Sequence, residues 1–235
     1  MFNDRLLTAL GAWQNGWKED QTHKEELARE LEGAVESLPE QFRTVSGPCY
    51  RKRFIHKGEL VDLILNDERD EGVASWTVEI AFAERFKGLV RPEAVSGAIF
   101  EHQPEITEVV VNIAALWASP EFVEAVDTYN RQGGIHSKAL LNFKYLQGEV
   151  VLKSPLRGSE IIALTGASSP FDELCERAGI PEEKRDKVFS DLVKGDVYPG
   201  EAAYTTRQGA QNAIANTIRK MEQKLAAVGF PVTRK

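Results

Sequence analysis

The sequence predicts an α+β fold: a β-rich middle flanked by helical segments at both ends. Three observations lead there. Leu6, Leu7, Leu10, Trp13 and Trp17 recur at helical spacing near the start. Short runs rich in β-branched and aromatic residues crowd the middle, separated by Gly, Pro, Asn or Asp clusters. Beyond Ser169 and Pro170 the apolar residues return to helical spacing. Strands and helices alternate irregularly in the middle, which argues against a regular parallel sheet.

The elements follow in order. The first apolar stripe is expected to be core, although Trp13 and Trp17 could also make a stacking platform. Thr22 and Glu25 have the spacing of a capping box and would open a second helix. It carries Leu27, Leu31, Ala34, Val35 and Leu38 and ends at Pro39. Strands are expected at residues 49–55, 73–78, 108–113, 149–152 and 161–164, with helical pieces at 80–86 and 120–129. Ser169 followed by Pro170 is a cap with a first-turn proline, and Pro181 starts the next helix, with Val188, Phe189, Leu192 and Val193 inward. A long helix from about Thr206 carries Ala210, Ile214, Ile218, Met221 and Leu225, and Gly229 stops it. The expected organisation is an N-terminal helical region (1–40), a core (41–168) and a C-terminal helical region packed on that core (169–235).

Bulk properties narrow the function classes. At 235 residues, 42% hydrophobic and 28% charged, the chain reads as an ordinary globular protein with one sizeable core or a catalytic domain with a helical extension. No apolar run is long enough to span a bilayer, so no membrane partner is expected. The opening residues lack the pattern of a signal peptide. A cytoplasmic protein is expected, or one exported by a signal-peptide-independent route. A formal charge of -7 argues against a chain wrapped in nucleic acid. A local basic groove stays open: Arg51-Lys52-Arg53 with His56 and Lys57 is the densest positive stretch, and Arg51, Arg53, Lys57 and Lys144 could line one. Cys49 and Cys175 read as two free thiols. His23, His56, His102 and His136 lack metal-ligand spacing, so no metal is expected. Gly133-Gly134 is a turn without the Gly-Lys-Ser/Thr of a phosphate loop. The cluster Asp67, Glu68, Asp70 and Glu71 reads as a solvated turn.

Three motifs occur in an informative order: Tyr50-Arg51 in a strand-like run, Ser75-Trp76-Thr77 ending another, and Gln147-Gly148-Glu149 opening a third that continues Val150-Val151-Leu152. In this order they resemble the mono-ADP-ribosyltransferases of the Arg–Ser–Glu class, over residues 47–166. The Gln-x-Glu variant is similar to toxin and phage-type members. Trp76 departs from the small or Thr-like middle residue usual there.

The resemblance implies a split, mixed β-sheet core, and NAD+ as a substrate without a metal. It implies transfer of ADP-ribose to a macromolecular acceptor. Glu149 would be the catalytic carboxylate, because cleaving the nicotinamide–ribose bond develops positive charge that a fixed carboxylate stabilises. Ser75 would orient Glu149, or be a plain polar strand end. Residues two apart on a strand share a face, so Gln147 would sit beside Glu149 and address the acceptor. Arg51, beside Tyr50, would grip the pyrophosphate with paired hydrogen bonds; the assignment could slip to Arg53, or the run could be a solvated basic edge strand. Thr77 would support the nicotinamide pocket. Phe82 and Phe86 are expected in the core, while the family often packs an aromatic on the nicotinamide. Phe143 and Tyr145, in the loop before the catalytic Glu, could touch the acceptor. Gln147 in place of Glu shifts the acceptor away from arginine, toward other protein side chains or a nucleobase. Such a protein would be an intracellular toxin or a phage or defence effector, with an antitoxin or inhibitor as a partner. The competing expectations are a non-catalytic interaction or scaffold protein and an NAD+ glycohydrolase.

Overall fold

The computed structural model describes the chain apart from Glu19, Lys57, Val90, Pro92, Phe143 and residues 60–61, 145–146, 168–169, 196–201 and 230–235. It is a mixed α/β structure with a seven-stranded sheet and helices at both ends. The strands are β1 (Cys49–Ile55), β2 (Val73–Thr77), β3 (Ser96–His102), β4 (Val109–Asn112), β5 (Glu149–Lys153), β6 (Ile161–Ala167) and β7 (Ala202–Tyr204). Hydrogen bonds link them in the order β4-β5-β2-β1-β3-β6-β7. Every described pairing is antiparallel, where the family resemblance implied a mixed sheet. Parallel neighbours need a crossover that returns the chain to the same sheet end; the described neighbours here run in opposite directions.

The chain divides into two compact units, each discontinuous in sequence. The first comprises Met1–Arg51, Asp70–Ala83 and Glu101–Leu156. Its helices are α1 (Asp4–Asn15), α2 (Gln21–Val35), the start of α3 (Ile80–Arg85), α4 (Ile113–Trp117), α5 (Pro120–Arg131) and α6 (Ser137–Asn142). Asn3 caps α1 by accepting from the Leu6 amide, which satisfies one of the unpaired N–H groups of the first turn. Leu6, Leu7, Leu10 and Trp13 are buried with Leu31 of α2, Val111 of β4, Phe122 and Val126 of α5 and Val151 of β5. The N-terminal helices thus share one core with the β4-β5-β2 strands. The cap of α2 is Asp20, accepting from the His23 amide, and not Thr22. A carboxylate two residues upstream outcompetes the threonine for the first exposed N–H groups.

The second unit comprises Lys52–Arg69, Glu84–Phe100 and Arg157–Lys235. It holds α7 (Pro170–Arg177), α8 (Glu182–Lys194) and α9 (Arg207–Ala227). The cap expected at Ser169 lies outside the described residues. Thr206 caps α9 by accepting from the Gly209 amide, and Gly229 leaves it at φ +86°. Two strands escaped the sequence reading. In β3, Ser96-Gly97 opens the run; the glycine lies against the Thr165 side chain of β6, where a Cβ would meet Oγ1 at 3.0 Å. The other, β7, is only three residues long and sits in a segment expected to be helical.

Candidate active site

All members of the expected catalytic set that meet one another lie in the first unit. Antiparallel pairing sets Thr77 of β2 opposite Glu149 and Ser75 opposite Val151. Glu149 and Ser75 are therefore diagonal neighbours on one face, within reach of each other. The Ser75 Oγ donates to Glu149 Oε1 at 2.6 Å. The run Glu149 to Leu152 is buried at every position, as expected of a strand covered on both faces. Glu149 itself is 6% exposed.

Arg51 reaches the same strand. Its Nη1 donates to the Ser75 carbonyl at 2.5 Å and its Nη2 to Glu71 Oε2 at 3.0 Å. Glu71 is thereby no part of a solvated turn. Its side chain is 6% exposed, because the guanidinium draws it inward. Asp67 of the same cluster accepts from the Ser159 amide and hydroxyl in the second unit. Arg53 is engaged elsewhere: its Nη2 lies 2.9 Å from Glu59, which Arg69 also pairs at 3.0 Å. Of the two arginines, Arg51 is the one joined to the Ser75 strand. Lys52 is buried, with its ammonium on the Glu84 and Gly88 carbonyls and over the Phe54 and Tyr204 rings. Burial pulls its pKa below the ordinary value, and burial with nearby Glu84 pushes Tyr204 up to about 12. Arg51, Lys52 and Arg53 are thus each committed to specific partners. Lys144 lies over the Trp117 ring, and Lys57 falls outside the described residues.

The chain turns just before the strand expected from Glu149. Gly148 sits at φ +52°, so β5 begins at Glu149 and Gln147 lies in a bend. The two-residue rule that would place Gln147 beside Glu149 on one strand face does not apply across that turn. A Cβ at Gly148 would meet Val78 Cγ2 at 3.0 Å and Glu79 Cγ at 3.1 Å. Thr77 clamps the bend: its hydroxyl donates to the Gln147 carbonyl and accepts from the Glu79 amide at 3.0 Å. Gln147 is half-buried, and among the described residues its side-chain amide makes no hydrogen bond. Tyr50 is half-buried opposite Thr77. Phe82 is half-buried, whereas Phe86 is 39% exposed and follows the end of α3, so it is not core. Phe143 and Tyr145 lie outside the described residues.

Two residues that the sequence reading did not assign to the site touch Glu149 directly. Trp13, in the last turn of α1, points its indole N–H at Ser75 Oγ (3.0 Å) and Glu149 Oε1 (3.3 Å). Gln14 Nε2 donates to Glu149 Oε2 at 2.9 Å. Trp13 had a usable signal: a tryptophan on a buried stripe needs a partner for its N–H. Gln14 had none, since a polar residue beside an apolar stripe is ordinary.

Among the described residues no group of His, Cys, Asp or Glu side chains could hold a metal ion. No helix is long and apolar enough to cross a membrane, again among those residues. Cys49 and Cys175 are buried free thiols, and burial pushes Cys49 up to about 12. The chain matches no protein-family model, no curated protein and no solved structure.

Proposed function

We propose that the chain transfers ADP-ribose from NAD+ to a macromolecular acceptor and releases nicotinamide. The observation that carries the reading is the Ser75–Glu149 contact of 2.6 Å, joined to Arg51 through the Ser75 carbonyl. Three residues picked from separate motifs form one hydrogen-bonded chain, which coincidence does not require. In the proposed step, the bond between ribose C1′ and the nicotinamide nitrogen breaks and its electron pair leaves with nicotinamide. The ribose takes on oxocarbenium character. A nucleophilic atom of the acceptor bonds to C1′ and gives up its proton to water. Glu149 stabilises the developing charge and holds a ribose hydroxyl.

Arg51 supplies a guanidinium for the pyrophosphate, sharing or exchanging its contact with Glu71. The uncharged amide of Gln147 offers one donor set and one acceptor, suited to a non-arginine protein side chain or a nucleobase. An intracellular toxin or a phage or defence effector fits this chemistry, with an antitoxin or inhibitor as its natural partner.

One observation favours a second reading. Glu149 is closed over by Trp13 and Gln14, as a structural clasp in a non-catalytic interaction protein would be. Incubation with adenylate-labelled NAD+ and cell lysate separates the cases. Label on protein or nucleic acid that disappears in Glu149→Ala is the expected result. Label that survives in Glu149→Ala contradicts the role of that residue. Consumption of NAD+ without retained label identifies a glycohydrolase, and no consumption supports the clasp.

A further inference from the structure

We propose that the two oxygens of Glu149 are divided in use. Oε1 is fixed by Ser75 and Trp13, whereas Oε2 receives a ribose hydroxyl of the substrate and is held by Gln14 until then. This rests on the NAD+ reading and goes beyond it by naming Trp13 as a positioning residue and Gln14 as an internal stand-in for the substrate.

The Ser75 proton goes to Glu149 Oε1, since a carboxylate oxygen only accepts. The Ser75 oxygen is then free to accept, and the Trp13 N–H lies nearer to it than to Glu149. The result is a directed relay from Trp13 to Ser75 to Oε1. Its first member is 2% exposed and packed beside Trp17 at 5.3 Å between ring centroids. A buried indole has few rotamers to lose, so the relay holds Oε1 rigidly.

Oε2 is held differently. Among the described residues its one donor is Gln14 Nε2, on a half-buried and rotamer-rich side chain. That contact strands the other end of the same amide: Gln14 Oε1 is buried without a partner among the described residues. An amide that gains one hydrogen bond while leaving a buried acceptor unsatisfied is weakly held. Rotation about the Gln14 side chain releases Oε2 and lets the stranded oxygen find a partner. A ribose hydroxyl is the matching replacement, because it presents a neutral O–H donor as the amide presents N–H.

The division predicts opposite kinetic signatures in the full chain, read as nicotinamide release at varied NAD+. Trp13→Phe keeps a ring and removes the N–H. It should lower kcat about tenfold and leave KM within about twofold. A 3-benzothienylalanine at position 13, which keeps the bicyclic volume, should do the same and separates the lost N–H from lost packing. Gln14→Met removes the competitor for Oε2, so KM for NAD+ should fall about two- to tenfold with kcat undiminished. The division is overturned if Gln14→Met lowers kcat as the position-13 changes do, or if both position-13 changes leave kcat intact. In those cases the unaltered chain still consumes NAD+ and the proposed function stands. Failure of the unaltered chain to release nicotinamide overturns the function and this division together.

Discussion

Two carboxylates in one compact unit bracket β5 and keep different company. Glu149 opens the strand, and its donors are a hydroxyl, an indole and an amide, none of them charged. Glu108 precedes β4, whose Val109 pairs with Leu152 near the other end of β5. It accepts from Ser154 Oγ at 2.9 Å and from the Glu105 amide at 2.8 Å, and faces His102 Nε2 at 2.9 Å. Each cluster pairs a serine with a buried ring N–H. The second has an imidazole in place of the indole and also closes a capping box on a short 3-10 turn. Burial pushes the Glu108 carboxyl up, but the hydrogen bonds from Glu105, His102 and Ser154 outweigh it and hold the group below its usual value. Similar parts therefore serve different ends. Glu108 ties a turn to the sheet; among the described residues the Glu149 side chain ties down no turn and carries a donor arrangement with one weakly held side.

The largest expected difference is catalytic. Glu149→Gln should lower nicotinamide release about 10²–10³-fold, the usual cost of a preorganised electrostatic contact. Glu108→Gln should change it by no more than about twofold, since loss of a distant clasp acts on stability. Equal losses in both would erase the distinction.

Next in size is the turn that starts the strand at Glu149. Gly148→Ala forces a left-handed residue and a Cβ against Val78 and Glu79, and should destabilise the chain by about 1–2 kcal/mol in urea unfolding. Wild-type stability in that variant would show that the bend relaxes without strain.

Glu108→Gln should lose about 1 kcal/mol at neutral pH, the usual net value of a hydrogen bond. The sign with pH follows from the lowered folded pKa. Its contribution is present above the ordinary value of 4.5 and fades as pH falls through the folded value. The deficit of Glu108→Gln relative to wild type should therefore shrink in acid, as measured by denaturant midpoints at pH 7 and below pH 4.5. A deficit that grows in acid would contradict the clasp.

The smallest effect is expected at the exposed end of β5. Lys153 pairs with Glu32 at 2.9 Å, yet the lysine side chain is 61% exposed, so Lys153→Ala should shift stability by less than about 0.5 kcal/mol.

Much of the architecture was legible from residue patterns. The apolar stripe of α1 and the β-branched or aromatic runs at β1, β2, β4, β5 and β6 mark elements whose residue pattern is visible in the sequence. β3 and β7 were not legible, since Ser96-Gly97 reads as a turn and three residues carry no period. In the candidate site, Ser75 and Glu149 were recognisable because a motif order singles them out, and pairing across β2 and β5 joins them. Gln14 and Glu71 were not, because each acquires its role only through a partner distant in sequence: Glu149 for one, Arg51 for the other. The strand rule that would set Gln147 beside Glu149 does not extend across Gly148, whose φ is positive.

The direct test compares nicotinamide release from NAD+, in the presence of cell lysate, by the unaltered chain, Glu149→Gln and Glu108→Gln. Release by the unaltered chain and by Glu108→Gln is expected, with near-abolition in Glu149→Gln. Release that persists in Glu149→Gln, or is absent from the unaltered chain, would contradict the proposed role of Glu149.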